Sequence, residues 1–195
     1  MKIAILGWGS LVWDKRGLAT IGEWQPGGPV LPIEFSRKSG DGRLTLVIDL
    51  ANGELVATRY VRSRFEDLDD AIGNLREREG NPPKDRIGFV DLTTNTERAW
   101  ARENQPDASD TITAWAQASD CQAVIWTALK PNFAEEQREP FTLPAALHYL
   151  NSLTGQTRTR ALEYIHRAPA EVMTPLRRAL QARAPRDAAI PNKRE

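Results

Sequence analysis

Two short stretches of this 195-residue chain bring together residue types that can do chemistry. The first is "GWGSL", Gly7 to Leu11, which follows an apolar run from Ile3 to Leu6. Small residues let successive backbone N–H groups turn into one concavity that can hold a carboxylate or a developing oxyanion, and Ser10 adds a hydroxyl. The second is "LREREG", Leu75 to Gly80, at the end of a stretch with helical spacing. Phe65, Leu68, Ile72 and Leu75 recur every three or four residues, and the next step of that stripe lands on Glu79. Glu77 is rotated by roughly 200° from Glu79 on the helix and faces solvent. A carboxylate aimed at the core from a helix C-terminus is partly desolvated and gets no help from the helix dipole, a setting in which a glutamate serves as a general acid or base.

Each stretch also has a plainer explanation. "GWGSL" describes a tight strand-to-loop turn whose Trp8 and the nearby Trp13 pack on the core. Glu79 can reach water through fraying of the helix end, or pair with Arg78 or Arg86. Spacing alone leaves both readings of both stretches open.

A strand running into glycines also raises a dinucleotide site. That fingerprint needs a third small residue and a helix that begins inside the glycine loop. Val12 occupies the third position, and Gly17, Gly22, Pro26, Gly27, Gly28 and Pro29 interrupt the stretch where the helix must run. Glu34 imitates the ribose-binding acid, but without the helix there is no βαβ unit.

The elements that must position these residues follow from hydrophobic period and turn chemistry. Ile3 to Leu6, Val30 to Phe35, Leu44 to Leu50 and Leu55 to Val61 read as strands, joined through the hairpin-sized "SGDGR" and "LANGE". Ser63 and Glu66 have capping-box spacing for a helix over Phe65 to Glu79, closed by Gly80 and Pro82-Pro83. Beyond it lie strands at Ile87 to Leu92, Arg98 to Arg102 and Gln122 to Leu129, and a helix at Asp110 to Ala118. Helices follow near Leu143 to Leu153, Thr157 to Arg167 and Pro175 to Ala182. The expected architecture is one α+β domain over residues 1–184, with a small, mostly antiparallel β-barrel and flanking helices, and a loose tail at 185–195.

Composition narrows the function. The 26 basic and 26 acidic residues cancel, so no global field attracts nucleic acid or an anionic membrane, and the "TRTR" and "RRALQARAPR" runs read as solvated helix faces. No apolar run approaches the ~20 residues that span a bilayer, and the apolar start is too short for a signal peptide. With one cysteine, Cys121, and two histidines, His148 and His166, neither a disulfide nor a metal site is expected, and a reducing cytoplasm suits the chain.

Taken together, the two stretches resemble the gamma-glutamylcyclotransferase superfamily, including its AIG2-like and ChaC-type branches. Members begin with a strand and a Y-G-S-L or Y-G-S-N-L loop, similar to "GWGSLVW" here with Trp8 in place of Tyr. They continue through antiparallel strands, similar to "GRLTLVI" and "ELVATRYV", into a helix ending in the catalytic glutamate four residues after a leucine. The resemblance places that role on Glu79, with Glu77 as the rival copy of "RE". It covers the first ~100 residues best. The resemblance implies a gamma-glutamyl amine or peptide as substrate, whose alpha-amino group attacks its own gamma-carbonyl to give 5-oxoproline. It implies no metal or cofactor, with Gly7, Trp8, Gly9, Ser10 and Leu11 holding the substrate. The family places an aromatic residue shortly after the glutamate; "GNPPKDRIGF" has none there before Phe89, so closure of the pocket falls to Trp8, Trp13 or Trp126. The alternative is a non-catalytic module that uses the same pocket to bind a small molecule or a protein.

Overall fold

The computed structural model describes residues 1–183, and the expected tail lies outside them. In chain order the elements are β1 (Ile3–Gly7), β2 (Thr20–Lys38), β3 (Leu44–Ile48), β4 (Glu54–Ser63), α1 (Leu68–Arg78), β5 (Ile87–Asp91), β6 (Thr96–Glu97), α2 (Ala99–Asn104), α3 (Pro106–Gln117), β7 (Ala123–Thr127), α4 (Phe133–Gln137), α5 (Leu143–Ser152), α6 (Gly155–Arg167) and α7 (Pro175–Arg183). A single sheet runs in the order β3, β2, β4, β1, β7, β5, β6. Every pairing is antiparallel except that of β1 with β7. The fold is therefore α+β around a mixed sheet. The sheet is open, with β3 and β6 at its edges, where the sequence reading expects a closed barrel.

The sheet separates two apolar clusters. Ile3 and Ile5 of β1 join Ala123, Ile125, Ile87 and the α1 residues Ala71, Ile72 and Leu75 on one face. Ala4 and Leu6 join Val124, Trp126 and residues of α3, α5, α6 and α7 on the other. A strand covered on both faces has no reason to alternate, and β1 accordingly reads as an unbroken apolar run.

Four local expectations are corrected. The Gly-Pro stretch around Pro26 is part of β2, whose pairing with β4 shifts register between Ile21 and Gln25 and again between Pro26 and Val30. Gly22 and Gly27 take left-handed conformations at these bulges, so residues that usually end a strand bend this one instead. "LANGE" is a crossover rather than a hairpin, because β2 lies between β3 and β4. Asp49 holds that crossover by accepting from the amides of Ala51 and Asn52. Helix α1 starts at Leu68, not Phe65: β4 keeps pairing as far as Ser63, and Asp67 caps the helix by accepting from Asp70 N at 3.1 Å. Finally, Arg98 to Arg102 is not a strand. Strand β6 stops at Glu97, and the Ala-, Arg- and Glu-rich residues after it form α2.

One buried carboxylate ties α7 to the sheet. Glu34 on β2 accepts from Phe35 N at 2.7 Å and is almost fully buried. Burial pushes its pKa above the ordinary glutamate value of 4.5, aided by the nearby Asp49 charge and opposed by the Thr174 hydroxyl and the Phe35 and Leu176 amides. The folded state thus holds this proton more tightly than the unfolded chain. Above the ordinary value, the contribution of Glu34 to stability falls as pH rises, until the raised pKa is passed. Urea denaturation between pH 4 and 8 should show that fall in the native protein and a flatter profile for Glu34→Gln. Equal slopes would exclude the linkage.

Candidate functional site

The loop after β1 and the end of α1 meet at a cavity of about 270 Å³. Trp8, Gly9, Ser10 and Leu11 line it from the loop and Glu79 from the helix, whereas Gly7 ends β1 behind them. Glu77 is exposed. The loop glycines are small because of what abuts them and not because of a left-handed turn. A Cβ on Gly7 would meet the Trp24 ring at 2.7 Å, and one on Gly9 would meet the Tyr164 hydroxyl at 2.9 Å. The turn is closed by Val12 N to Gly9 O at 3.0 Å and Asp14 N to Ser10 O at 2.8 Å. Among the described residues, the amides of Gly9 and Leu11 donate to no protein acceptor, so the loop keeps free donors.

Glu79 is held in place, not frayed. Gly80 adopts the left-handed conformation after it, with Asn81 N donating to Arg76 O and Gly80 N to Glu77 O. These two bonds form a Schellman closure that fixes the last turn.

Helix and loop are joined by Arg78, which spacing alone did not mark as part of the site. Its side chain is only 1% exposed, and its Nη1 donates to Glu79 Oε1. Its Nη2 donates to Asp14 O at 2.6 Å and to Ser10 Oγ at 3.2 Å, and its Nε to Asp14 O at 3.2 Å. The pairing anticipated for Glu79 with Arg78 is therefore present, but as a buried link inside the site and not a solvent contact. The available signal was positional: Arg78 follows Ala71 and Leu75 along the buried stripe as closely as Glu79 follows Leu75.

The aromatic residues divide differently from expectation. Trp8 lines the cavity, and its Nε1 donates to Leu46 O at 3.4 Å. Trp13 stands edge-on to Tyr164 with ring centroids 5.4 Å apart. Trp126 is buried against Gly88 and lines no part of the cavity. The phenol at the cavity comes instead from Tyr164 of α6, about 85 residues beyond the glutamate and beyond the reach of any local motif. Burial pushes the Tyr164 pKa up and the Glu79 charge adds to that, while backbone groups of Leu46 and Ser10 and the Arg43 guanidinium pull the other way. Its phenol is thus a neutral hydrogen-bonding group at neutral pH.

The cavity is rich in cations. Arg16, Arg37, Arg43 and Arg78 line it against the single carboxylate of Glu79. The chain's zero net charge conceals this local excess. The Cys121 thiol lies elsewhere, with its pKa raised by burial and by Asp120, which makes it a poor nucleophile. Among the described residues there is no cluster of three or more His, Cys, Asp or Glu suited to a metal, and no helix is long and apolar enough to cross a membrane.

No protein family, curated protein or solved structure matches this chain.

Proposed function

We propose that the protein is a gamma-glutamylcyclotransferase-like enzyme that releases 5-oxoproline from a gamma-glutamyl amine or peptide. The observation that carries this reading is the link from Ser10 through Arg78 to Glu79 at one cavity, because it brings an oxyanion-holding loop and a proton-carrying carboxylate together. The reaction is intramolecular, so the protein has to fold the substrate and move protons. Glu79 takes a proton from the alpha-ammonium. The freed amine then attacks the gamma-carbon, and the free amides of the loop, with Ser10, stabilise the oxyanion that forms. As the bond from that carbon to the leaving nitrogen breaks, Glu79 returns its proton to that nitrogen. The lactam keeps one hydrogen, and the released amine takes up the second displaced proton. Tyr164 closes the pocket where the expected downstream aromatic is missing.

Incubating the pure protein with gamma-glutamyl amino acids, glutathione and gamma-glutamyl amines should release 5-oxoproline from at least one of them. Tight binding without 5-oxoproline from any would favour the second reading, a non-catalytic binding module. That reading draws on the ion pair itself, since Glu79 already spends its charge on Arg78.

A further inference from the structure

A second cavity, of about 510 Å³, lies at the opposite end of β1 and shares no residue with the first. Its floor is the start of β1 and the end of β4, and its side is the end of α3 with the turn that leads into β7. The space follows from residue size. Ala4 sits opposite Arg62 in the β1–β4 ladder, and α3 contributes Ala118, so two methyl groups stand where longer side chains would close the gap between sheet and helix. A volume of this size suits a small organic molecule.

The walls are of two kinds. Tyr60 and Trp115 meet edge to face, with ring centroids 5.2 Å apart and planes at 62°. The indole is pinned, because its Nε1 donates to Gly27 O at 2.8 Å, at the bulge of β2. An aromatic wall already fixed in place binds a flat ring with little further loss of side-chain freedom. Tyr60 and Arg62 lie two positions apart on β4 and so share one face of the strand. Among the described residues, neither the Tyr60 hydroxyl nor the Arg62 guanidinium has a hydrogen-bond or ion-pair partner, although both residues line the cavity.

The remaining charges there are already matched. Lys2 Nζ lies 2.6 Å from Asp120. The carbonyls that end α3 are answered as well: Ala114 O, Trp115 O and Ala116 O accept from Ala118 N, from Ser119 N and Oγ, and from Cys121 Sγ. An exposed arginine alone is ordinary. Here the one unmatched charge among the described lining residues stands on the same strand face as a free phenol, which in turn packs on a fixed indole.

We infer that this cavity binds a small aromatic carboxylate, its ring against Tyr60 and Trp115 and its carboxylate met by Arg62 and the Tyr60 hydroxyl. The inference does not depend on the cyclotransferase reading, since the two cavities have no residue in common.

Four probes test it by calorimetry. Indole-3-acetate is set against indole-3-acetamide, which keeps the ring without the charge, and phenylacetate against cyclohexylacetate, which keeps the charge without the aromatic ring. Indole-3-acetate should bind one-to-one with a Kd of about 1 mM or tighter, the scale for a ligand of its size. It should bind about 5- to 10-fold more tightly than its amide, the scale of one charge-assisted hydrogen bond at an open rim. Phenylacetate should bind about 2- to 10-fold more tightly than cyclohexylacetate, the scale of one aromatic contact. Arg62→Gln should remove the preference for acid over amide, Arg62→Lys should keep part of it, and Ala118→Leu should weaken binding of all four by filling the space. Cys121 reports where the probe sits, because it lines this cavity and is the single cysteine of the chain. Indole-3-acetate should slow its alkylation by N-ethylmaleimide, and do so less in Arg62→Gln. The inference is wrong if indole-3-acetate does not bind, if it binds no better than its amide, or if the saturated ring binds as well as the aromatic one. It is equally wrong if binding survives Arg62→Gln unchanged or leaves Cys121 alkylation unaffected, since the acid then sits elsewhere, as at the arginine-lined cavity beside Glu79. Release of 5-oxoproline enters none of these measurements, so either reading can fail without the other.

Discussion

Glu79→Gln should lower turnover of a gamma-glutamyl substrate by about 10²–10⁴-fold, the usual scale for loss of a general acid or base, while substrate affinity changes little. The amide has the shape of the carboxylate, and its oxygen still accepts from Arg78 Nη1, so the link to Ser10 and the loop survives. What it cannot do is carry a proton from the alpha-ammonium to the leaving nitrogen. The loss must therefore appear in kcat and not in KM. Single-turnover release of 5-oxoproline, set beside calorimetric affinity for the same compound, separates the two. Glu77→Gln is the matched control, since Glu77 is exposed two residues away. An undiminished kcat in Glu79→Gln would remove this residue from the mechanism, and a drop in Glu77→Gln alone would move the role by two positions.

The position of Glu79 is legible because a single helix carries its own ruler. Ile72 and Leu75 define the buried face, and the next step falls at the helix end whatever lies opposite. The same ruler touches Arg78, yet an arginine in a run of charges reads as solvent-facing until its partners are known. Those partners, Ser10 and Asp14 O, lie more than sixty residues away. The strands were readable in outline for the same local reason, since β1, β5 and β7 are short apolar runs bounded by turns. Their order was not readable. The parallel contact of β1 with β7 joins residues about 120 positions apart, and nothing in either run specifies its neighbour. The bulged part of β2 failed in the opposite direction, because Gly and Pro weaken a strand on average while Gly22 and Gly27 bend this one in place. The cationic walls of the cavity come from β2, the loop after it, α1 and the loop after β1, and Tyr164 comes from α6. A cavity assembled from so many separate segments has no signature in spacing.

Arg78→Met should be the most destabilising change at the site, costing about 3 kcal/mol, the lower part of the range for removing one partner of a buried ion pair. Methionine fills a similar volume, so packing is largely kept and the loss is electrostatic and hydrogen-bonding. The lower part of the range is chosen because the Glu79 side chain, 17% exposed, retains some contact with water when its partner goes. Asp14 O and Ser10 Oγ lose their donor in the same step, which frees the loop that lines the cavity. Urea denaturation with an unchanged m-value measures the cost. The double variant Arg78→Met/Glu79→Gln should be less destabilised than the sum of its two single variants, since it leaves no orphaned carboxylate, and that difference is the coupling of the pair. Arg78→Lys should fall between native and Met, because one ammonium cannot span Glu79, Ser10 and Asp14 as the planar fork does. A cost below about 1 kcal/mol with additive variants would put the pair in the class of exposed surface bridges, and the loop would then be held by its own backbone turn, the Trp8 bond to Leu46 O and the close packing at Gly7 and Gly9.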